Sequence, residues 1–145
     1  IAGFPGETED EFMKTYNFLN ELDISYLHVF TYSERNNTTA LRIDDIVPMN
    51  IRNERSKMLR ILSEKKKRAF YESNLSFNES VLFEKEENND MMFGFTSNYV
   101  KVKTAYNPFM SNVSAKVKLT EIDRDGIMKF EFSEEKSETQ SLSLK

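Results

Sequence analysis

Three groups of residues in this 145-residue chain have types and spacings that suit chemistry. The first is Gly3-Phe4-Pro5-Gly6-Glu7-Thr8, where an apolar run hands over to a helical pattern. Glycine removes the side chain that would hold a ligand away from the backbone. Amides at a helix start can then donate to an anion or to the polar edge of a cofactor. Plain turn geometry needs the same glycines, so both readings stand. The second group follows Phe30: Thr31, Tyr32, Ser33, Arg35 and Thr38 offer hydroxyls, a phenol and a guanidinium that can hold a phosphate or carboxylate. A loop packed on its own side chains is the alternative. The third is Lys101 with Lys103 and Lys116 with Lys118, each pair two apart and so on one strand face, with Tyr99, Tyr106 and Phe109 nearby. Charge for phosphates and flat rings for unstacked bases is what single-stranded or looped RNA calls for. Alternating lysine also describes an ordinary solvated barrel face that resists aggregation.

No catalytic constellation is complete. His28 is the sole histidine and sits in an apolar run, where a hydrogen-bonded core residue is the expectation. With no cysteine, the chain cannot form a disulfide scaffold, a thiolate zinc site or its own cysteine-ligated iron–sulfur cluster. Glu7, Glu9, Asp10 and Glu11 crowd a helix start, where they complement the positive end of the dipole. An apolar content of 39% with 12 Phe and 6 Tyr is too rich for a disordered polymer. No run approaches the roughly 18–20 apolar residues of a membrane helix, so the expectation is a cytoplasmic protein with no membrane partner. The net charge of −4 argues against a general nucleic-acid glue, but its distribution is uneven. Residues 1–48 carry −6, residues 49–75 carry +5, residues 76–132 carry −2 and residues 133–145 carry −1.

The elements that must position these groups follow from periodicity. Ile1-Ala2-Gly3 reads as a strand end, and Thr8 with Glu11 has capping-box spacing, so a helix is predicted from Thr8 to about Asp23. Ile24 to Phe30 is almost continuously apolar, as in a parallel strand covered on both faces. Strand, helix and strand make a βαβ unit. A long helix is predicted over 49–74, buried along Ile51, Met58, Leu59, Leu62, Ala69 and Phe70, with Arg52, Arg55 and other basic residues covering the rest. Beyond Ser76 the period changes to two. Val81/Phe83, Phe93/Phe95, Val100/Val102, Val113 to Leu119 and Met128 to Phe132 mark five strands, with a bulge at Glu121-Ile122 and a turn at Asp125-Gly126. The fold class is therefore α/β plus all-β, ending in a small closed barrel, with 133–145 a disordered tail.

With these pieces in order, the chain resembles the C-terminal third of the radical-SAM methylthiotransferases. The resemblance rests on IAGFPGETEDEF (1–12), LHVFTYSERNNTTA (27–40), NERSKMLRILSEKKKRAFYES (53–73), VLFE (81–84) and GFTSNYVKV (94–102). The wording of the second and third pieces is closest to the MtaB-type branch, which modifies N6-threonylcarbamoyladenosine beside the tRNA anticodon. The resemblance implies that 1–48 is the last βαβ part of a partial radical-SAM (TIM-like) barrel, 49–75 a connecting helix, and 76–132 a five-stranded, OB-like TRAM barrel. It implies S-adenosylmethionine lined by Gly3, Pro5, Gly6 and Glu7, a substrate loop of Tyr32, Ser33 and Arg35, and RNA contacts from Tyr99, Lys101, Lys103, Lys116 and Lys118. Two 4Fe–4S clusters would be ligated by N-terminal domains outside this chain, which alone is expected to be inactive and to self-associate through its orphaned strands. The implied partner is the tRNA anticodon stem-loop. Asn36-Asn37 replace a glycine-containing turn of the family. A non-enzymatic RNA-binding barrel and a protein-interaction module are the competing readings.

Overall fold

The computed structural model describes residues 1–133; of the tail expected over 133–145, Ser133 donates its amide to the Lys116 carbonyl at 3.0 Å and the rest lies outside the described residues. The described residues divide into two units, one over 1–70 and one from 71 onward.

The first unit is built on two helices, α1 (Glu9–Glu21) and most of α2 (Met49–Ser73), with a 3-10 turn at Thr39–Arg42. The predicted capping box starts α1: Thr8 Oγ1 accepts from the Glu11 amide at 3.3 Å, and Glu11 Oε2 accepts from the Thr8 amide at 2.8 Å. That bonding, with the backbone bond first, holds the Glu11 carboxyl below its ordinary pKa. Phe12 then meets Ala2 and Leu59 in a small core, flanked by Met13, Tyr16, Leu19, Val29 and Met58. At the other end of α1, Lys66 Nζ donates to the carbonyls of Asn20 (3.1 Å) and Leu22 (2.6 Å), placing a cation at the negative end of the dipole.

The expected βαβ pairing is reduced to one parallel bridge between Ala2 and Thr31. The Ala2 amide donates to the Phe30 carbonyl at 2.9 Å and the Tyr32 amide to the Ala2 carbonyl at 2.8 Å. The run 24–30 is not covered on both faces: Leu27 and Val29 are half-buried while Tyr26, His28 and Phe30 are exposed. His28 is therefore no core residue; its ring meets Tyr26 edge-on at 5.1 Å. The extended segment is held by α2 instead of a neighbouring strand. Ser63 Oγ accepts from the Leu27 amide (2.9 Å) and donates to the Leu27 carbonyl (3.1 Å), and Ser56 Oγ meets Thr31 Oγ1 at 2.7 Å.

The buried stripe of α2 also differs from expectation. Leu59 and Leu62 are buried, but Ala69 is exposed, while Arg52 and Arg55, expected to face solvent, are 2% and 5% exposed. Positions 52, 55, 59 and 62 share one helix face, and the two arginines occupy its N-terminal end, where loop carbonyls and the carboxylates of Glu34, Glu7 and Glu9 accept their hydrogen bonds. Gly3 (φ +81°) admits this contact, because a β-carbon there would collide with the Arg52 side chain.

The second unit is a closed five-stranded, OB-like barrel: β1 (Asn78–Asn88), β2 (Met91–Thr96), β3 (Lys101–Ala105), β4 (Ser114–Ile122) and β5 (Met128–Phe132). The strand order is β1-β2-β3-β5-β4, with β3 and β5 parallel and the other pairs antiparallel. Val81, Phe83, Met92, Val100, Val102, Val117, Leu119 and Met128 fill it. Gly94 lets the wall close: a β-carbon there would lie 2.6 Å from Val81 Cγ1 and 2.9 Å from the Leu82 carbonyl oxygen. Because Gly94 faces inward, Phe93 and Phe95 must face outward. The predicted bulge is present as a register shift between Leu119 and Glu121.

Candidate functional site

The parallel bridge puts the carboxyl ends of both extended segments at one edge, as the sequence suggested. The two residue groups nevertheless open into separate hollows. Tyr32, Ser33 and Arg35, with Ile1, Thr38 and Ala40, line one of about 450 Å³. Gly6 and Glu7, with Asp45, Val47, Ile51 and Arg55, line another of about 450 Å³. Gly3 and Pro5 are buried.

The amides expected to be free for an anion are largely taken. Gly3 donates to Glu7 Oε2 (2.8 Å), Gly6 to the Asp45 carbonyl (2.7 Å), Glu7 to the Phe4 carbonyl (3.0 Å), and Thr8 and Glu11 serve the cap. Gly6 alone of the two turn glycines keeps an open approach, since a β-carbon there would meet nothing within 4 Å.

Arg52 and Arg55 hold both loops. Arg52 donates from Nε to the Val47 carbonyl (2.6 Å), from Nη1 to the Tyr32 carbonyl (3.2 Å) and from Nη2 to Glu34 Oε1 (2.6 Å), while its guanidinium lies 5.2 Å from the Tyr32 ring centre. The hydrogen bond to Arg52 holds the Glu34 carboxyl below its ordinary pKa, and the same bond raises Arg52. Arg55 donates from Nη1 to the Glu7 carbonyl (2.9 Å) and Glu7 Oε2 (2.7 Å), and from Nη2 to Glu9 (3.0 Å). Sequence reasoning missed both; the one signal was their phase with Leu59 and Leu62. The Arg35 guanidinium has no ion-pair partner among the described residues. Asn37 has φ +64°, a conformation asparagine tolerates.

On the barrel, the register sets Lys101, Phe95, Leu82 and Ser114 in one row across β3, β2, β1 and β4. Lys101 Nζ lies 4.2 Å from the Phe93 ring centre and 5.6 Å from that of Phe95. Lys116 pairs with Ser80, on the far side of the row, and Lys118 stands opposite Glu131. A groove of about 650 Å³ runs here, lined among others by Leu82, Lys85, Phe95, Thr96, Tyr99 and Asn112. Lys103 is placed differently from Lys101, for it pairs with Asp123 and with Asp125 (2.7 Å) in the β4–β5 turn. Those two bonds, Asp123 first, raise its pKa. Burial disfavours the Asp123 anion, but Lys103 and the amides of Ile127 and Asp125 outweigh it, and the carboxyl is lowered.

No family model matches the chain. It is 45% identical over 106 residues to a threonylcarbamoyladenosine tRNA methylthiotransferase MtaB of Bacillus subtilis, covering 70% of this chain and 24% of that protein. It is 40% identical over 103 residues to the MtaB of Aquifex aeolicus, covering 71% and 24%. A ribosomal protein uS12 methylthiotransferase RimO of Chlamydia abortus is 39% identical over 77 residues, 53% of this chain and 16% of that protein. The chain belongs to the methylthiotransferase family. Both MtaB alignments are longer than the RimO alignment. The chain spans about a quarter of the length of these MtaB relatives. It has no cysteine, and its described residues hold no cluster of three or more His, Asp or Glu suited to a metal. No described helix is long and apolar enough to cross a membrane.

Proposed function

We propose that the chain forms part of a cytoplasmic tRNA methylthiotransferase that adds a methylthio group to C2 of N6-threonylcarbamoyladenosine next to the anticodon. The observation that carries this is the 40–45% identity over about 70% of the chain to MtaB proteins. When bound, S-adenosylmethionine with the two 4Fe–4S clusters supplies a radical that activates an inert C–H bond. The clusters do not fit this chain, which lacks their thiolate ligands. The cofactor fits the edge beside Gly6, where backbone is approachable, with Gly3, Pro5 and Glu7 shaping the turn behind it. Tyr32, Ser33 and Arg35 offer hydrogen bonds and a positive charge to the substrate, and Arg52 fixes their loop through the Tyr32 carbonyl. The barrel holds the RNA by Lys101, Lys116 and Lys118 on phosphates, with Tyr99 beside them, while Lys103 ties β3 to the β4–β5 turn. Holding a large RNA so that one base reaches the reacting centre is an orientation problem, and orientation contributes much of such a barrier.

The test is replacement of the matching quarter of the Bacillus subtilis relative by this chain, in cells lacking that relative, with mass spectrometry of tRNA nucleosides. The methylthio derivative of threonylcarbamoyladenosine should appear, and Arg35→Ala in the chimera should diminish it. A soluble, cluster-loaded chimera that leaves the nucleoside unmodified overturns the proposal.

A further inference from the structure

We propose that Tyr99 is a stacking platform for one unpaired nucleobase of an RNA strand in the barrel groove, held in place by a strained backbone; this rests on the RNA-binding reading above. Tyr99 has φ +67°, a region that bulky side chains enter only where the surroundings enforce it. The enforcement is visible around the turn 96–100. The Tyr99 amide donates to the Thr96 carbonyl (3.0 Å), the Thr96 amide to the Val100 carbonyl (3.1 Å) and the Val100 amide to Thr96 Oγ1 (2.8 Å). Asn98 Nδ2 donates to Asn74 Oδ1 (2.9 Å), and the Lys101 amide to the Tyr71 hydroxyl (2.9 Å).

Asparagine or glycine would take this conformation at less cost. An aromatic stands there instead, and it is 71% exposed, so burial of the ring does not offset the strain. The backbone presents the ring at the wall of the groove. Phe95 meets it at 6.5 Å, Leu82 supplies apolar floor, and Asn112 and Ser114 offer groups for base edges. Lys101 is in register with Phe95 on one side and Lys116 with Ser80 on the other, giving cations for flanking phosphates. Flat ring, polar wall and bracketing cations together match a splayed-out base in a single strand. A duplex keeps its bases stacked and cannot offer a face to the ring.

The test compares the wild-type chain with Tyr99→Asn and Tyr99→Phe. Affinity is read by fluorescence anisotropy for an unstructured RNA of about ten nucleotides and for its duplex, and thermal melting is read alongside. Tyr99→Asn should weaken single-strand binding roughly 5- to 150-fold, leave duplex binding nearly unchanged, and keep or raise the melting temperature. Tyr99→Phe should bind like wild type. The proposal is overturned if Tyr99→Asn binds the single strand normally, loses both RNAs equally, or melts lower, since a lower melting point marks a packing role. If wild type binds, Lys101→Glu with Lys116→Glu weakens binding and Tyr99→Asn does not, only the stacking role falls. If wild type shows no salt-sensitive RNA binding, the wider reading falls with it.

Discussion

Arg55 offers a quantitative test of how the first unit is organised. Its guanidinium makes three bonds, two to Glu7 and one to Glu9, from a side chain only 6% exposed. The Glu9 arm contributes at most about 1 kcal/mol, because that carboxylate is 65% exposed and screened by water. The Glu7 carboxylate is 16% exposed, so removing its partner leaves a poorly solvated anion supported by the Gly3 amide alone. Breaking buried pairs of this kind costs about 3–5 kcal/mol, and partial exposure places Arg55→Met near the lower bound, about 3 kcal/mol. With a urea slope of about 1–3 kcal/mol per molar, the midpoint should fall by about 1–3 M. Lysine keeps the charge but not the fork, so Arg55→Lys should cost roughly half as much. The assay is urea unfolding of a double-mutant cycle with Glu7→Gln, supported by hydrogen exchange at the Gly3 amide. A coupling of about 1–3 kcal/mol between positions 7 and 55 is expected. A loss under about 0.5 kcal/mol in Arg55→Met, or no coupling, refutes the reasoning.

The Lys103–Asp123 pair sets a pH window for the barrel. Asp123 is lowered, so its stabilisation is present above the unfolded value of about 3.9 and is lost as pH falls through its folded value. Lys103 is raised, so its share is present below about 10.4 and is lost as pH rises through its folded value. Melting temperature against pH should show both limits, and Asp123→Asn should flatten them; an unchanged profile contradicts the pairing. Gly94→Ala should destabilise the barrel by about 1–3 kcal/mol in chemical denaturation, because the added carbon meets the Leu82 backbone. Thr8→Ala should cost about 1 kcal/mol and raise hydrogen exchange at the Glu11 amide.

What the sequence made legible was local. Thr8 and Glu11 cap one helix start three residues apart, and the alternation that slips near Glu121 needs no distant partner to be read as a bulge. What it hid depended on partners far along the chain. The burial of Arg52 and Arg55 is decided by Val47, Tyr32 and Glu7, whose carbonyls only the folded loops bring to α2. Ile24 to Phe30 reads as buried on both faces because apolar content does not reveal which side is covered; α2 covers one, through Ser63 at Leu27 and the Leu59 cluster against which Val29 packs. Lys101 and Lys103 have the same pattern in sequence, yet a turn some twenty residues away neutralises only the second. The outward turn of Phe93 and Phe95 follows from Gly94, whose lack of a side chain was the readable signal.

The most direct test of the barrel as the RNA-holding part is binding of a tRNA anticodon stem-loop measured across a salt series, with single lysine-to-glutamine variants. Lys101→Gln and Lys116→Gln should each reduce the slope of log affinity against log salt by about 0.7–0.9, as loss of one phosphate contact requires. Lys103→Gln should leave that slope unchanged, because Asp123 and Asp125 already hold its charge. Equal effects at all three positions, or binding indifferent to salt, would contradict the account.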